Sequence, residues 1–131
     1  MGYLNKPKAS PFNALIARLV RVFSIYIRRR DLSVAGGMCV FCRKRPITDC
    51  FHFIPRGNKS AAFDEENAVG SCRICNGDNE ENPQPYIDWF VMHRGLRAWE
   101  MLYLRGKQIR KWELAELEDM IEIYTKKTEA L

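Results

Sequence analysis

The sequence contains only two histidines, and its first 48 residues contain a single acidic side chain, Asp31. It also lacks a long uninterrupted hydrophobic run, because Arg18 and Arg21 break the apolar stretch from 12 to 27. Such a stretch can neither span a membrane nor form the core of a signal peptide. The absence of internal repeats and of low-complexity tracts excludes solenoid architectures. We therefore expect a single intracellular domain over residues 1–131, without membrane association.

Positive charge is concentrated at the start of the chain. Residues 1–48 contain ten Lys or Arg against one acid, a net charge of +9, whereas residues 49–131 contain eleven basic against fifteen acidic residues, a net charge of −4. A basic segment of this kind favours an approach to a polyanion such as nucleic acid. The alternative interpretation is a solvated basic helix that only keeps the protein in solution.

Four of the five cysteines form two pairs, Cys39-x-x-Cys42 and Cys72-x-x-Cys75, about thirty residues apart. An odd number of cysteines without a signal peptide argues against a disulfide framework. The spacing instead predicts a structural zinc ion held tetrahedrally by four thiolates, since each CxxC turn can supply two adjacent corners. Redox-active or unrelated cysteines are the alternative. The fifth, Cys50, is expected to be a small buried apolar residue.

The hydrophobic pattern predicts an α+β, mostly helical fold in which a small zinc-stapled core lies between helices. We divide the chain into a loose tail and basic N-terminal helix (1–35), a zinc-knuckle core (36–82) and C-terminal helices (83–131). In chain order, the predicted elements are a helix from Pro11 to about Arg30, a strand over 47–54, a basic loop over 56–60, a strand over 67–70, a helix from 73 to about 80, two short helices interrupted at Gly95 and Gly106, and a final helix over 113–131. Strand, loop, strand and helix between two zinc knuckles form a ββα-metal arrangement.

His52 is the residue most indicative of chemistry. It ends the first predicted strand, between the two halves of the zinc site, and is followed by Asn67 and then by Asn76 directly after Cys75. This order is that of HNH nucleases with asparagine in place of the last histidine. A neutral imidazole can act as a general base near pH 7 without repelling a phosphodiester. The alternatives are a structural histidine or an unused metal ligand.

We expect a second, catalytic divalent ion, Mg²⁺ or Mn²⁺, held by few protein oxygens and several waters. Asn76 and Asp49 are the candidate ligands. Asp49 and Phe51 share the strand face opposite His52, so Asp49 can reach an ion beside His52 only if the strand bends. Asn67 is expected to bond the backbone across the loop and so hold His52 in position. The second histidine, His93, is expected to cap a helix or to be exposed.

Four basic residues near the predicted catalytic strand are candidates for contacts with DNA phosphates. Each of them can equally be a solvated charge. They are Arg43, Arg45, Arg56 and Lys59. The three tryptophans and two of the tyrosines in the C-terminal third are expected to belong to the core rather than to a base-stacking platform.

Over residues 12–124 the chain resembles the bacteriophage NinG (Rap) recombination-nuclease family. The segments that carry the resemblance are Phe23–Asp31, Cys39–Cys42, Asp49–Phe53 with Arg56-Gly57, Phe63–Asn67, Cys72–Asn76, Asn82 with Tyr86, and Arg94-Gly95. Two departures stand out. Similar zinc-stapled junction resolvases have a metal-binding Asp immediately before the base histidine, where this chain has Phe51, and the family's Gly-Asn after the short helix is Glu81-Asn82 here.

The resemblance implies an HNH endonuclease that cuts branched recombination intermediates, such as D-loops and Holliday junctions, in the cytoplasm of a bacterial host cell. Junction enzymes are usually dimers because a junction offers symmetric sites, so the first and last helices are either a homodimer interface or fold back on the domain. A non-catalytic, zinc-stabilised module that binds branched DNA is the alternative, which the Phe51 departure keeps open. A restriction or homing enzyme would need a base-reading element, and none is evident.

Overall fold

The computed structural model describes residues 10–57 and 59–131. The predicted N-terminal tail, residues 1–9, lies outside the described residues. In chain order the elements are α1 (Pro11–Val34), β1 (Asp49–His52), a 3₁₀ turn (Glu65–Asn67), β2 (Ala68–Ser71), α2 (Arg73–Glu81), α3 (Gln84–Arg94), α4 (Leu96–Gly106) and α5 (Leu114–Glu129). The predicted mostly helical α+β architecture is therefore present, with a small two-stranded sheet.

Helix α1 begins as predicted, with the Ser10 hydroxyl accepting a hydrogen bond from the Asn13 N–H and with proline in the first turn. It continues to Val34, one turn beyond the predicted end at Arg30. The added turn contains Asp31, an acidic residue that is buried. Its carboxylate accepts the Gly70 N–H of β2 at 2.7 Å and pairs with the Arg30 guanidinium at 2.8 Å. The helix therefore reaches across the sheet before it ends.

The two strands pair antiparallel, with Asp49 opposite Ser71 and His52 opposite Ala68. The first strand is shorter than the predicted 47–54. Beyond His52 its partner is Asn67, which belongs to the 3₁₀ turn and not to the strand. There the Asn67 side-chain amide bonds the N–H and the carbonyl of Ile54 in place of a backbone partner, so the regular backbone pairing of the two strands ends.

Two hydrophobic clusters stabilise the fold. One surrounds the cysteines and contains the inner faces of α3 and α4, and the other lies between α1, β2 and α5. Because α1 packs along α5 within the chain, the first and last helices fold back on the domain. All three tryptophans are half-buried and pack against the edges of these clusters, Trp89 and Trp99 on the first and Trp112 on the second. They therefore contribute to the core without lying fully inside it.

A close approach of α1 to the sheet depends on Gly70. A Cβ atom at this position would stand 2.9 Å from two side-chain carbons of Ile47 and 3.2 Å from the Cβ of Asp31. The glycine therefore lets the helix, and the buried carboxylate that it carries, contact the strand backbone directly. None of the helices in the described part of the chain has both the length and the hydrophobicity of a membrane span.

Candidate functional site

The four paired cysteines converge as the spacing predicted. The sulfur atoms of Cys39, Cys42, Cys72 and Cys75 all lie within 4.8 Å of one another. The Sγ atoms of Cys42 and Cys72 are 3.9 Å apart, close to the roughly 3.8 Å that separates thiolates around a tetrahedral zinc. Among the described residues, no other group of three or more His, Cys, Asp or Glu side chains converges in this way. These four cysteines can hold a metal ion such as zinc.

The electrostatics of the cluster fit a cation. Backbone N–H groups, first that of Lys44, lower the pKa of Cys42 to about 6, so its thiolate forms readily. Burial and the neighbouring thiols raise the pKa of Cys75, because four crowded thiolates repel one another. A divalent ion removes this repulsion, since ligation requires deprotonated sulfur. The donor set therefore suits zinc both in geometry and in charge.

Beside the sheet lies an open cleft of ≈ 480 Å³, which we call the His52 cleft. One wall comes from β1 and the segment that follows it, and the other from α2. Its lining residues are Cys50, His52, Phe53, Pro55, Arg56, Asn76, Asn79, Glu80 and Pro83. Two of the three predicted catalytic residues, His52 and Asn76, thus share one cleft. The third, Asn67, lies behind it.

His52 is held in one orientation from inside the protein. Its Nε2 lies 2.9 Å from the Ala62 carbonyl oxygen, so Nε2 carries a proton and, in the neutral ring, Nδ1 does not. The ring also packs 6.0 Å from the ring of Phe23 on α1. Burial lowers the pKa of His52 below its usual value, with a smaller contribution from the charge of Arg56, although the carbonyl groups of Ala62 and Cys50 oppose the shift. The imidazole is therefore neutral at pH 7.

Asn67 is fully buried and bonds the backbone across the loop, in agreement with the role expected for it. Its Oδ1 accepts the Ile54 N–H at 2.7 Å. Its Nδ2 donates to the carbonyl oxygens of Ile54 at 2.9 Å and Ala61 at 3.0 Å. Ala61 immediately precedes the residue whose carbonyl binds His52, so this amide fixes the segment that orients the imidazole.

Asn76 and Asp49 are in contact, but only Asn76 lines the cleft. The Asn76 Nδ2 donates to the Asp49 carboxylate at 3.1 Å, which leaves the Asn76 Oδ1 for another partner. The same carboxylate accepts the Thr48 hydroxyl at 2.8 Å and lies 3.9 Å from the Arg73 guanidinium. Asp49 is thus placed behind Asn76, on the face of β1 opposite His52.

Two polar residues of the cleft were not identified from the sequence. Asn79 donates its Nδ2 to the His52 carbonyl at 3.2 Å and so ties α2 to the end of β1. Glu80 presents a carboxylate to the cleft, one helical turn after Asn76. The i to i+4 spacing from Asn76 was the available signal, because residues so spaced lie on one helix face.

The four candidate DNA contacts are in three different places. Arg56 lines the His52 cleft, and Lys59 lies in an adjoining groove together with Arg56. Arg45 instead directs its guanidinium at the cysteines, 3.7 Å from the Cys42 sulfur and 3.9 Å from the Cys72 sulfur. Arg43 follows the first knuckle in the left-handed conformation, with φ at 53°, and is exposed. Arg43 and Arg45 therefore do not line the cleft, because the knuckle turns them away from β1.

Phe51 and Cys50 are on opposite faces of β1, as strand alternation requires. Phe51 is fully buried among Phe41, Phe53 and Tyr86, on the zinc side of the sheet. Cys50 lines the His52 cleft, where burial raises its pKa to about 12. It is therefore a neutral thiol at pH 7 and not a nucleophile activated by His52. The other histidine, His93, is exposed and bonds the Trp89 carbonyl through Nδ1 at 2.8 Å.

Among protein-family models, the chain matches the one described as the bacteriophage lambda NinG protein over residues 4–131. Comparison with curated proteins and with solved structures gives no match. The matched range contains both cysteine pairs, the whole sheet and every residue of the His52 cleft. The chain therefore belongs to the bacteriophage lambda NinG family.

Proposed function

We propose that the protein is an HNH-type endonuclease that hydrolyses phosphodiester bonds in branched DNA, with His52 as the general base. The observation that carries this proposal is the His52 cleft itself. A neutral imidazole with one nitrogen bonded to the interior lines the same cleft as an amide, a carboxylate and an arginine. This is a hydrolytic arrangement for an anionic substrate.

The chemistry assigned to His52 is proton transfer from water. Its Nδ1 takes a proton as the water oxygen bonds to phosphorus and the bond from phosphorus to the 3′-oxygen breaks. The Nε2 bond to the Ala62 carbonyl favours this tautomer and stabilises the imidazolium that forms. The Arg56 guanidinium, at the same cleft, contacts the phosphate and holds it in line.

The cleft has the donors that a hard divalent ion requires. The Oδ1 of Asn76 and the carboxylate of Glu80 are the oxygen ligands that Mg²⁺ and Mn²⁺ prefer, and the open cleft leaves room for coordinated water. Bound there, the ion would neutralise charge on the scissile phosphate and the leaving oxygen. We assign Asp49 to orienting Asn76, and we assign Glu80 as the carboxylate ligand instead of Asp49.

The cysteine cluster has a different role in this proposal, as a zinc scaffold. Cys72 is the N-terminal cap of α2, and its sulfur accepts the Cys75 N–H at 3.4 Å. A zinc ion bound there fixes the first turn of the helix on which Asn76, Asn79 and Glu80 are carried. Loss of this ion should therefore disturb the cleft without removing any residue from it.

One observation favours a second candidate, a zinc-stabilised module that binds branched DNA without cutting it. The position directly before His52 is a buried phenylalanine and cannot ligate a metal ion. If Glu80 does not replace that ligand, the cleft would retain its basic and polar residues but lack a tightly held divalent ion. This candidate shares zinc and DNA binding with the nuclease and differs from it only in the absence of cleavage.

The test is cleavage of labelled linear duplex, D-loop and four-way junction DNA by wild type and His52→Ala, each with Mg²⁺, Mn²⁺ or EDTA. The proposal expects metal-dependent cutting of the branched DNAs that is lost in His52→Ala while DNA binding persists. Equal cutting of all three DNAs would retain the chemistry and exclude the selectivity. Binding without cutting under any metal would leave the binding module.

A further inference from the structure

A second groove, of ≈ 270 Å³, adjoins the His52 cleft. It lies between the start of α1, the loop after β1 and the segment before α5. Its walls include Phe12, Ile16, Phe63 and Trp112, and its cationic residues are Arg56 and Lys59. Arg56 lines both the groove and the cleft, so the two are adjacent and share this cation. We call this site the Trp112 groove.

The chemistry of the groove defines its occupant. Among the described residues that line it, five are large apolar or aromatic side chains, two are cationic and none is acidic. An apolar side chain of a protein would use the walls but offer no counter-charge to Arg56 or to Lys59, whose ammonium lies 5.9 Å from the Phe12 ring centroid. A flat apolar group with a negative charge attached to it satisfies both features. Unpaired nucleotides have this structure, and proteins that hold single strands combine aromatic walls with a basic track in the same way.

We propose that the Trp112 groove binds an unpaired nucleotide of the DNA strand that continues from the His52 cleft. This inference rests on the proposed nuclease function and names the substrate that the function requires. The base enters between the aromatic walls, and its phosphates pass from Arg56 to Lys59. A fully paired duplex cannot use the groove, because its bases are stacked inside the helix.

The indole ring is held in position before any ligand binds. Trp112 donates its Nε1–H to the Lys59 carbonyl at 3.2 Å, and the Arg110 guanidinium lies 4.3 Å above its ring centroid. The ring of Phe63 meets it edge-on, with the centroids 6.1 Å apart. A platform fixed by three contacts loses little conformational freedom on stacking. Because Arg110 covers one face of the indole and only part of the ring is buried in the second hydrophobic cluster, the base would contact the other face.

A groove for unpaired nucleotides would distinguish D-loops from four-way junctions, which the His52 cleft alone would not. A D-loop or a flap has unpaired nucleotides beside the branch, whereas an immobile four-way junction is paired throughout. With the groove beside the catalytic cleft, we expect branched DNA with an unpaired strand to be bound and cut in preference to a fully paired junction.

The experiment measures binding in EDTA, so that cleavage has no part in the result. Fluorescence anisotropy of a labelled oligothymidylate and of a duplex of equal length is recorded for wild type, Trp112→Leu, Trp112→Phe and Lys59→Ala. The exposed Lys107, outside the groove, supplies the control Lys107→Ala. We expect tighter binding of the oligothymidylate, a loss of about tenfold in Trp112→Leu, recovery in Trp112→Phe, a loss in Lys59→Ala and none in Lys107→Ala.

Intrinsic fluorescence provides a second readout that does not depend on the leucine variant folding. Oligothymidylate should quench tryptophan emission of the wild type, and Trp112→Phe should abolish the quenching while Trp89 and Trp99 still emit. Equal affinity for both DNAs, absence of DNA binding, or binding unaffected at Trp112 and Lys59 would overturn the inference. If DNA is bound as expected but no metal supports cutting, the proposed nuclease function fails and the groove stands.

Discussion

Asn67 bonds both backbone groups of Ile54 with a single side-chain amide. Its Oδ1 accepts the Ile54 N–H at 2.7 Å, and its Nδ2 donates to the Ile54 carbonyl at 2.9 Å. The amide thereby imitates the backbone of a neighbouring strand at the point where β2 ends. A third bond, to the Ala61 carbonyl, connects the same amide to the segment that holds His52. The geometry of the proposed base thus depends on a buried residue that does not line the cleft.

We therefore predict that Asn67→Ala destabilises the fold and impairs any activity that requires His52. The substitution leaves the N–H and the carbonyl of Ile54 without partners in the interior, and it removes one of the two hydrogen bonds to the Ala61 carbonyl. These losses should cost about 3 kcal/mol. Urea denaturation measures the change in the free energy of unfolding. The exposed amide of Gln108 supplies the control, and Gln108→Ala should change stability by less than about 0.5 kcal/mol. Equal effects of the two substitutions would contradict this role of Asn67.

The cysteine cluster predicts one zinc ion per chain, measurable by elemental analysis of the purified protein. Cys72→Ser should lose the ion and lower the melting temperature, because Cys72 also caps α2. Cys50→Ala is the matched control, since Cys50 is outside the cluster and should leave the zinc content unchanged. A wild-type protein that folds fully in strong chelator and contains no metal would exclude the zinc assignment.

The two carboxylates near Asn76 should behave differently toward Mn²⁺. Glu80→Gln removes a proposed ligand and should weaken Mn²⁺ binding by at least tenfold. Electron paramagnetic resonance of the free ion measures this binding. Asp49→Asn removes the group that orients Asn76 and should have a smaller effect. The reverse order would restore Asp49 as the ligand, as the sequence predicted. Glu81→Gln, next to Glu80 and exposed, serves as the control.

Arg56 and Arg45 were both predicted to contact phosphate, and the structure separates them. Arg56→Ala should weaken DNA binding and reduce the slope of log K against log salt by about one. Arg45→Ala should leave that slope nearly unchanged and instead weaken zinc retention, because its guanidinium lies beside two of the sulfur atoms. Salt titrations of DNA affinity and chelator competition distinguish the two outcomes.

The lowered pKa of His52 fixes the sign of the pH dependence. The pKa of His52 is lower in the folded protein than its usual value of about 6.5, which the unfolded chain has. The unfolded state therefore binds a proton first as the pH falls, so His52 lowers the free energy of unfolding only below about pH 6.5. The cleavage rate should likewise be constant above pH 7 and fall on the acid side with a midpoint below 6.5. A divalent ion bound in the His52 cleft would shift this midpoint to still lower pH, because its positive charge disfavours the imidazolium. A midpoint above 7 would show that His52 is not the titrating base.

The sequence predicted the parts of the site that depend on local spacing. The spacing of two CxxC turns predicted the four cysteines that converge. The order of His52, Asn67 and Asn76 predicted that the first and last of these share one cleft. Residues whose role depends on the orientation of an element could not be predicted in this way. Glu80 and Asn79 face the cleft only because α2 is rotated to place Cys75 in the cluster. The burial of Asp31 could not be predicted either, because the backbone N–H that it accepts belongs to Gly70, 39 residues away, even though its ion-pair partner Arg30 is adjacent.

The central claim is that the His52 imidazole removes a proton from water, and chemical rescue tests it most directly. Single-turnover cleavage of D-loop DNA with Mn²⁺ is measured for wild type and for His52→Ala, with and without added imidazole. We predict that His52→Ala binds DNA normally, cuts at least a hundredfold more slowly, and recovers part of its rate as imidazole is raised. Cleavage by His52→Ala at the wild-type rate would contradict the account.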